Sequence, residues 1–371
     1  MTFKKEEHDM EKRKRNLAID FWRLIFVALI VLTHTVFLAS KGESSPFRGG
    51  YIAVEFFFVV SGFLMTESAG RVREAEDGEM TDTGSMVFSI MKRKIKGIMP
   101  DLLLACAVAF AVRQFVSKPT AGEILKNAAE SVYVPLLMDS TGVRHYAVLG
   151  QVWYISAMMI VMPFFLYFLL KKENGFFKKA AVPVMYAMLM GILSMYAGNL
   201  NVTGKLGKTG FPYGALLRAM MGLAGGVMSH SIAESLKKTE FTGLGTFLIT
   251  LAETGGYIAV IVLSAHFDRS QFDFLLAMVF IISVGITFSG QSSTCEFLND
   301  ILSKLRITKL GRYTLNVYLY NNIFHYIDWK LPMKELMPYY LIYSFIFPFI
   351  GMFVTDFLRK LFVKAGRLIR K

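Results

Sequence analysis

Arg23 and His34 stand eleven positions apart in the apolar stretch AIDFWRLIFVALIVLTHTVFLA. At ~100° per residue, their side chains leave a helix within about 20° of each other and ~16.5 Å apart along its axis. Carrying an arginine at the centre of a membrane-spanning helix costs roughly 2.5–3.5 kcal/mol, so such a group faces a protein-lined or wet interior. An imidazole at one end of this track can move a proton or carry an acyl group. A guanidinium at the other end offers a fork for phosphate. Asp20 extends the track by one turn on the face of Arg23.

Other polar residues fall at comparable depths in other apolar stretches. Glu55 lies about as far below the outer end of the second stretch as His34 does in the first. A carboxylate there could fix the imidazole tautomer and raise its basicity. Arg218, in the sixth stretch, belongs to the same layer and is placed to hold an acceptor or an oxyanion. Toward the other side, Asp20, Arg23, Asp101 and the run Lys92-Arg93-Lys94-Ile95-Lys96 form a mainly cationic layer. Arg93, Lys94 and Lys96 there suit phosphates approaching from the cytoplasm, although a bias toward internal positive charge explains the run equally well. Glu253 is a costly mid-stretch carboxylate, and a proton relay, a partner for Arg218 and a substrate contact are equal readings of it. Trp153 and Tyr154 open the fourth stretch as an interfacial aromatic belt or as a sugar-stacking platform.

These residues need a membrane scaffold to position them. The chain has 371 residues, 54% of them hydrophobic, 14% aromatic and 19% charged, which is the composition of a multi-span membrane protein. The net charge of +13 sits in short runs between apolar stretches, the habit of cytoplasmic loops rather than of a nucleic-acid surface. Ten stretches have spanning length: 17–39, 50–69, 95–117, 150–170, 180–198, 211–231, 243–265, 272–290, 309–327 and 339–362. The ninth is the most polar, with Arg312, Asn316, Asn321, Asn322 and His325. Lysine and arginine concentrate in the segments that share a side with the N-terminus. The expectation is therefore an all-α bundle of about ten transmembrane helices at the cell membrane, both termini cytoplasmic, forming a single domain over 1–371. Residues 1–16 read as a charged cytoplasmic tail, and the apolar segment behind them as a retained anchor rather than a cleaved signal. Residues 73–86 read as a polar, mobile loop. The outer segment 118–149 holds an amphipathic, interfacial helix, either a lid over an outward-facing cavity or a plain surface helix. Cys106 and Cys295 read as packing residues, and no metal-ligand spacing occurs.

The motifs resemble the integral-membrane acyltransferase family 3 over nearly the whole chain. Arg23 and His34 match its basic-x10-His pattern, and Val54 to Met65 (VEFFFVVSGFLM) resembles its second-span block. Weaker likenesses are QVWYISAMMIVMP at 151–163, the sixth stretch with Arg218 and its glycines, and LGRYTLNVYLY at 310–320. Three positions depart from the family pattern. Lys94 and Gly97 stand where relatives carry an Arg-x-x-Arg, Ser156-Ala157-Met158 replaces a glutamate, and Asn321 stands where the ninth span often has a histidine. The resemblance implies an O-acyltransferase that moves an acyl group, expected to be acetyl, from cytoplasmic acyl-CoA to a hydroxyl of an extracytoplasmic glycan or glycolipid. Arg23, Arg93, Lys94 and Lys96 would hold the donor, His34 with Glu55 would act on the hydroxyl, and Arg218, Trp153, Tyr154 and Glu253 would meet the acceptor. Membrane lipid is the expected surrounding partner and nucleic acid is not one. A transporter of a glycan or acylated intermediate would use the same polar track, but the paired broken helices of such proteins are not evident.

Overall fold

A computed structural model of the chain describes residues 15–38, 47–75, 82–143, 146–206, 213–305, 307 and 309–369. Most of the charged 1–16 segment therefore lies outside the described residues. Among the described residues the fold is helical throughout, apart from one isolated antiparallel bridge between Lys205 and Tyr213. Eight helices are long and apolar enough to cross a membrane, and the protein is a multi-pass membrane protein.

The first helix, α1, is Leu17–His34. Asn16 starts it by accepting the Ile19 N–H on its side chain, which satisfies one of the orphan donors of a helix N-terminus. Helix α2 (Ala53–Ala75) runs back, and α3 (Thr83–Ser117) runs forward again from a cap on Asp82. Half of the expected 73–86 loop is thus helical, at its two ends, and residues 76–81 lie outside the described residues. With 35 residues, α3 is ~52 Å long, well beyond the ~30 Å of hydrocarbon it has to cross. The Lys92 to Lys96 run sits in the excess at its first half.

Helix α4 (Ala121–Ser131) is the expected amphipathic helix, opened by a capping box in which Thr120 and Glu123 bond reciprocally. Hydrogen bonds from the Thr120 N–H and hydroxyl hold the Glu123 carboxyl below its usual range. None of its residues is buried, and it reaches α3 through Asn127 Nδ2 and Gln114 Oε1 at 3.1 Å. It covers nothing as a lid would; it is a surface helix with Ile124 and Leu125 turned outward.

The chain continues through α5 (Trp153–Leu170), α6 (Val182–Ala197), α7 (Gly214–Leu236), α8 (Leu244–His266) and α9 (Phe272–Ser289). Then come α10 (Ser293–Lys304), α11 (Leu310–Tyr320) and α12 (Met333–Ile369). Two of the ten expected stretches fall short of the length and apolarity a crossing requires. Helix α7 has the length, but its glycines, serines and Arg218 dilute its hydropathy; it is the central helix, packed against α2, α5, α6 and α9 instead of lipid. Its glycines permit this close approach. A Cβ on Gly62 of α2 would meet Leu223 Cα at 2.9 Å, and one on Gly226 of α7 would meet the Phe63 backbone N at 2.6 Å, so neither site admits a side chain. Helix α11 stops after 11 residues and tightens into a 3-10 turn over Asn321–Tyr326.

An aromatic cluster joins the rest. Phe26 of α1 lies 4.5 Å from Phe56 of α2 and 5.0 Å from Phe280 of α9, and Trp22 lies 4.3 Å from Tyr257 of α8. The 291–312 segment, expected as a loop, contains α10, whose Asn299 accepts the Leu17 N–H at 2.6 Å and so finishes the start of α1. Cys295 lies on the buried side of α10 and Cys106 is half-buried, both as free thiols.

Candidate active site

His34 ends α1 as a partly buried residue. Its partner is Asn321 on the broken end of α11, with Nδ1 and Oδ1 2.7 Å apart. The orientation of that amide follows from its surroundings. Asn321 Nδ2 donates to the carbonyls of Val317 and Tyr318 at 3.0 and 2.7 Å, so the oxygen must be the atom that faces the ring. His34 Nδ1 therefore carries the hydrogen, and the neutral ring keeps its lone pair on Nε2. Gln151 fixes the platform beneath Asn321. Its amide nitrogen donates to the carbonyls of Tyr318 and Leu319 at 3.2 and 2.7 Å, and its backbone carbonyl accepts from the Tyr318 hydroxyl at 2.6 Å. The two buried amides thus add donors to the carbonyls at the point where α11 gives way to the 3-10 turn.

Glu55 is not the partner of His34. It forms a buried ion pair with Arg218, Oε1 to Nε at 2.8 Å, with both side chains 1% exposed. Arg218 is stacked over Trp153 at 4.8 Å and reaches the Val202 carbonyl at 3.4 Å. It is tied to α2 and α5, with Nη2 left without a hydrogen-bond partner. The expected encounter failed because α7 inserts beside α2 and supplies a stronger partner to the carboxylate than a neutral ring. Trp153 has one face taken by that guanidinium. Tyr154 is buried, 4.5 Å from the Phe58 ring, its hydroxyl 3.1 Å from Ser61 Oγ, so the pair is no exposed sugar platform.

Glu253 is likewise removed from Arg218 and from any acceptor. It accepts from Thr287 Oγ1 at 2.6 Å and from Ser292 Oγ, whose hydroxyl also caps α10. It joins α8, α9 and α10 where the chain re-enters to build α10.

At the other end of α1, Arg23 bonds Asp20 at 2.9 Å, and the same carboxylate takes Arg15 at 2.6 Å. Asp20 is buried while Arg23 remains 20% exposed, with Gly311 of α11 packed closely over the cluster. Lys94 turns inward from α3, within coulombic reach of Arg23. Arg93 and Lys96 point outward and are exposed. Of the four cations read together from the sequence, only Arg23 and Lys94 converge. Asp101 leaves that layer: fully buried, it binds Arg312 through both oxygens at 2.7 and 2.8 Å. Arg312 also pairs with Asp356, which takes Lys309 at 3.0 Å, so this network ties α3, α11 and α12.

Apart from Glu67, the partly accessible positions of α2 as far as Ser68 are Phe57, Ser61, Leu64 and Ser68. These positions lie within about 60° on one helix face. A partly accessible stripe therefore runs along the side of α2 that meets Tyr154, parallel to α1. The residues that sequence reasoning did not assign are Asn321 as the imidazole's partner and Gln151 as its support. The signal was the polarity of the ninth stretch, whose asparagines look like a poor span until their carbonyl partners are seen.

No curated protein and no solved structure matches the chain. The family model described as an acyltransferase domain matches residues 16–356. That region begins at the cap of α1 and ends at Asp356, so it takes in both ends of the Arg23–His34 track, and the chain belongs to acyltransferase family 3.

Proposed function

We propose that the protein transfers an acyl group, acetyl in the simplest case, from cytoplasmic acyl-CoA to a hydroxyl of an extracytoplasmic glycan or glycolipid. The observation that carries this reading is the fixed tautomer of His34, an unprotonated Nε2 on a residue only partly buried. In this scheme the N-terminal end of α1 faces the cytoplasm. The anionic end of acyl-CoA rests on Arg23, which pairs with Asp20, and on Lys94, which faces Arg23 from α3. The pantetheine arm follows the accessible face of α2, and its reach matches the ~16.5 Å rise from Arg23 to His34.

At His34, Nε2 takes the proton of the acceptor hydroxyl as its oxygen attacks the thioester carbonyl. The C–S bond breaks as the new ester forms, and the departing CoA thiolate receives the proton from the imidazolium. Asn321 accepts from Nδ1–H throughout, holding the ring in one orientation. Glu55 and Arg218 serve as the structural lock between α2 and α7 rather than as reactants.

His34→Ala is expected to lower acyl transfer by ~10²–10⁴-fold, the span of general-base contributions, in protein that still elutes as a single species in detergent. Retained transfer in that variant removes His34 from the scheme. Arg23→Ala is expected to raise the KM for acyl-CoA with little change in kcat, and an unaltered KM rejects the donor assignment.

A further inference from the structure

Beyond His34, the segment 325–332 and the start of α12 enclose a cavity of about 540 Å³. Its size falls within the ~300–1,000 Å³ of small-ligand sites. Phe37, His325, Trp329, Lys330 and Leu336 contribute to its wall. Trp329 is held flat by Phe324, whose ring lies 4.7 Å away and whose carbonyl accepts the indole N–H at 3.0 Å, yet it remains 38% exposed. One aromatic face is thus presented, already oriented, to whatever enters. Asp328 and Lys330 bring one charge of each sign, so the lining has no net preference for an anion.

Phe37 stands between this cavity and the imidazole. It is 63% exposed, with ring centroids 5.6 Å from His34 and 5.4 Å from His325. Behind it, both nitrogens of His325 are closed to solvent without a hydrogen-bond partner. Leaving such a donor and acceptor unmet carries the desolvation cost of each group. A neutral imidazole offers one donor and one acceptor, and a hydroxyl can answer either of them. A group that only accepts, such as a phosphate, meets just one.

Resting on the acyl-transfer reading above, we propose that this cavity receives the acceptor as a single sugar ring stacked on Trp329. Phe37 swings aside to let one hydroxyl reach His325 and its neighbour meet His34. The apolar face of a pyranose fits the indole, and its adjacent hydroxyls fit two imidazoles that share one aromatic screen.

The test uses the purified full-length chain in detergent and a photoreactive diazirine derivative of methyl β-D-glucopyranoside, without acyl-CoA. The expected result is cross-linking within residues 322–338, competed by methyl β-D-glucopyranoside and not by glycerol at equal concentration. Trp329→Ala should reduce that labelling at least fivefold and Trp329→Phe should keep it. His325→Phe, which preserves the ring shape and removes both nitrogens, should weaken competition by the glucoside about tenfold. Absent labelling, labelling elsewhere, equal competition by glycerol or indifference to Trp329→Ala each overturns the proposal. Because labelling needs no donor, it stands or falls separately from acyl transfer: a positive label with no acetyl-CoA turnover would reject the reaction and keep the sugar site.

Discussion

The 2.7 Å contact between His34 Nδ1 and Asn321 Oδ1 does for the imidazole what a carboxylate commonly does, without adding a charge. A neutral acceptor fixes the tautomer by taking the hydrogen of Nδ1. Asn321→Leu should therefore lower kcat by about ten-fold or more, within what general-base catalysis contributes, and leave the KM for acyl-CoA unchanged. An equal loss in both parameters would mean that the substitution disturbs the whole bundle. His34 and Arg23 were legible from sequence because ionisable groups in an apolar run are costly and their helical spacing is arithmetic. Their partners were not, because partnership depends on which helices insert between neighbours. Glu55 lies one short connection from His34 in the chain and is taken by Arg218, which comes from α7.

Among the helices, α7 best separates composition from position. Its glycines suggested close packing, and they do bring it to the centre, where the buried Glu55–Arg218 pair locks it to α2. Removing one member of such a pair costs about 3–5 kcal/mol because the other charge is left buried, whereas replacing both with apolar groups is often close to neutral. Arg218→Met is accordingly expected to lower the thermal midpoint in detergent, and Glu55→Leu combined with it to recover most of the loss. A double variant as unstable as the sum of the single ones would show that the two side chains do not act as a pair. The helix content of most stretches followed from length and apolarity. Helix α10 and the break after Tyr320 did not, because a short amphipathic helix and a polar 3-10 turn owe their stability to tertiary partners such as Asn16, Asn299 and Gln151.

For the molecule as a whole, α4 and α10 sit at opposite ends of the bundle. Helix α4 follows the far end of α3, and α10 packs against the start of α1. The orientation inferred from lysine and arginine bias then predicts that Lys126→Cys on α4 reacts with a membrane-impermeant maleimide on intact cells, while Lys304→Cys on α10 reacts only after permeabilisation. The reverse pattern would invert the donor and acceptor sides together. Both native cysteines are at least half-buried, which keeps the background low.

Helix α1 is completed by residues that follow it in the chain by 282 to 309 positions. Asn299 satisfies its opening amides, Asn321 orients its histidine, and the Tyr340 hydroxyl reaches the Val31 carbonyl at 3.1 Å. Contacts of such sequence separation form slowly and late. Until α10, α11 and α12 are in place, α1 lacks these three partners. A chain cut short anywhere before residue 299 presents the bare ends of α1 to quality-control proteases, and damage to the last third of the sequence would be read out at its beginning.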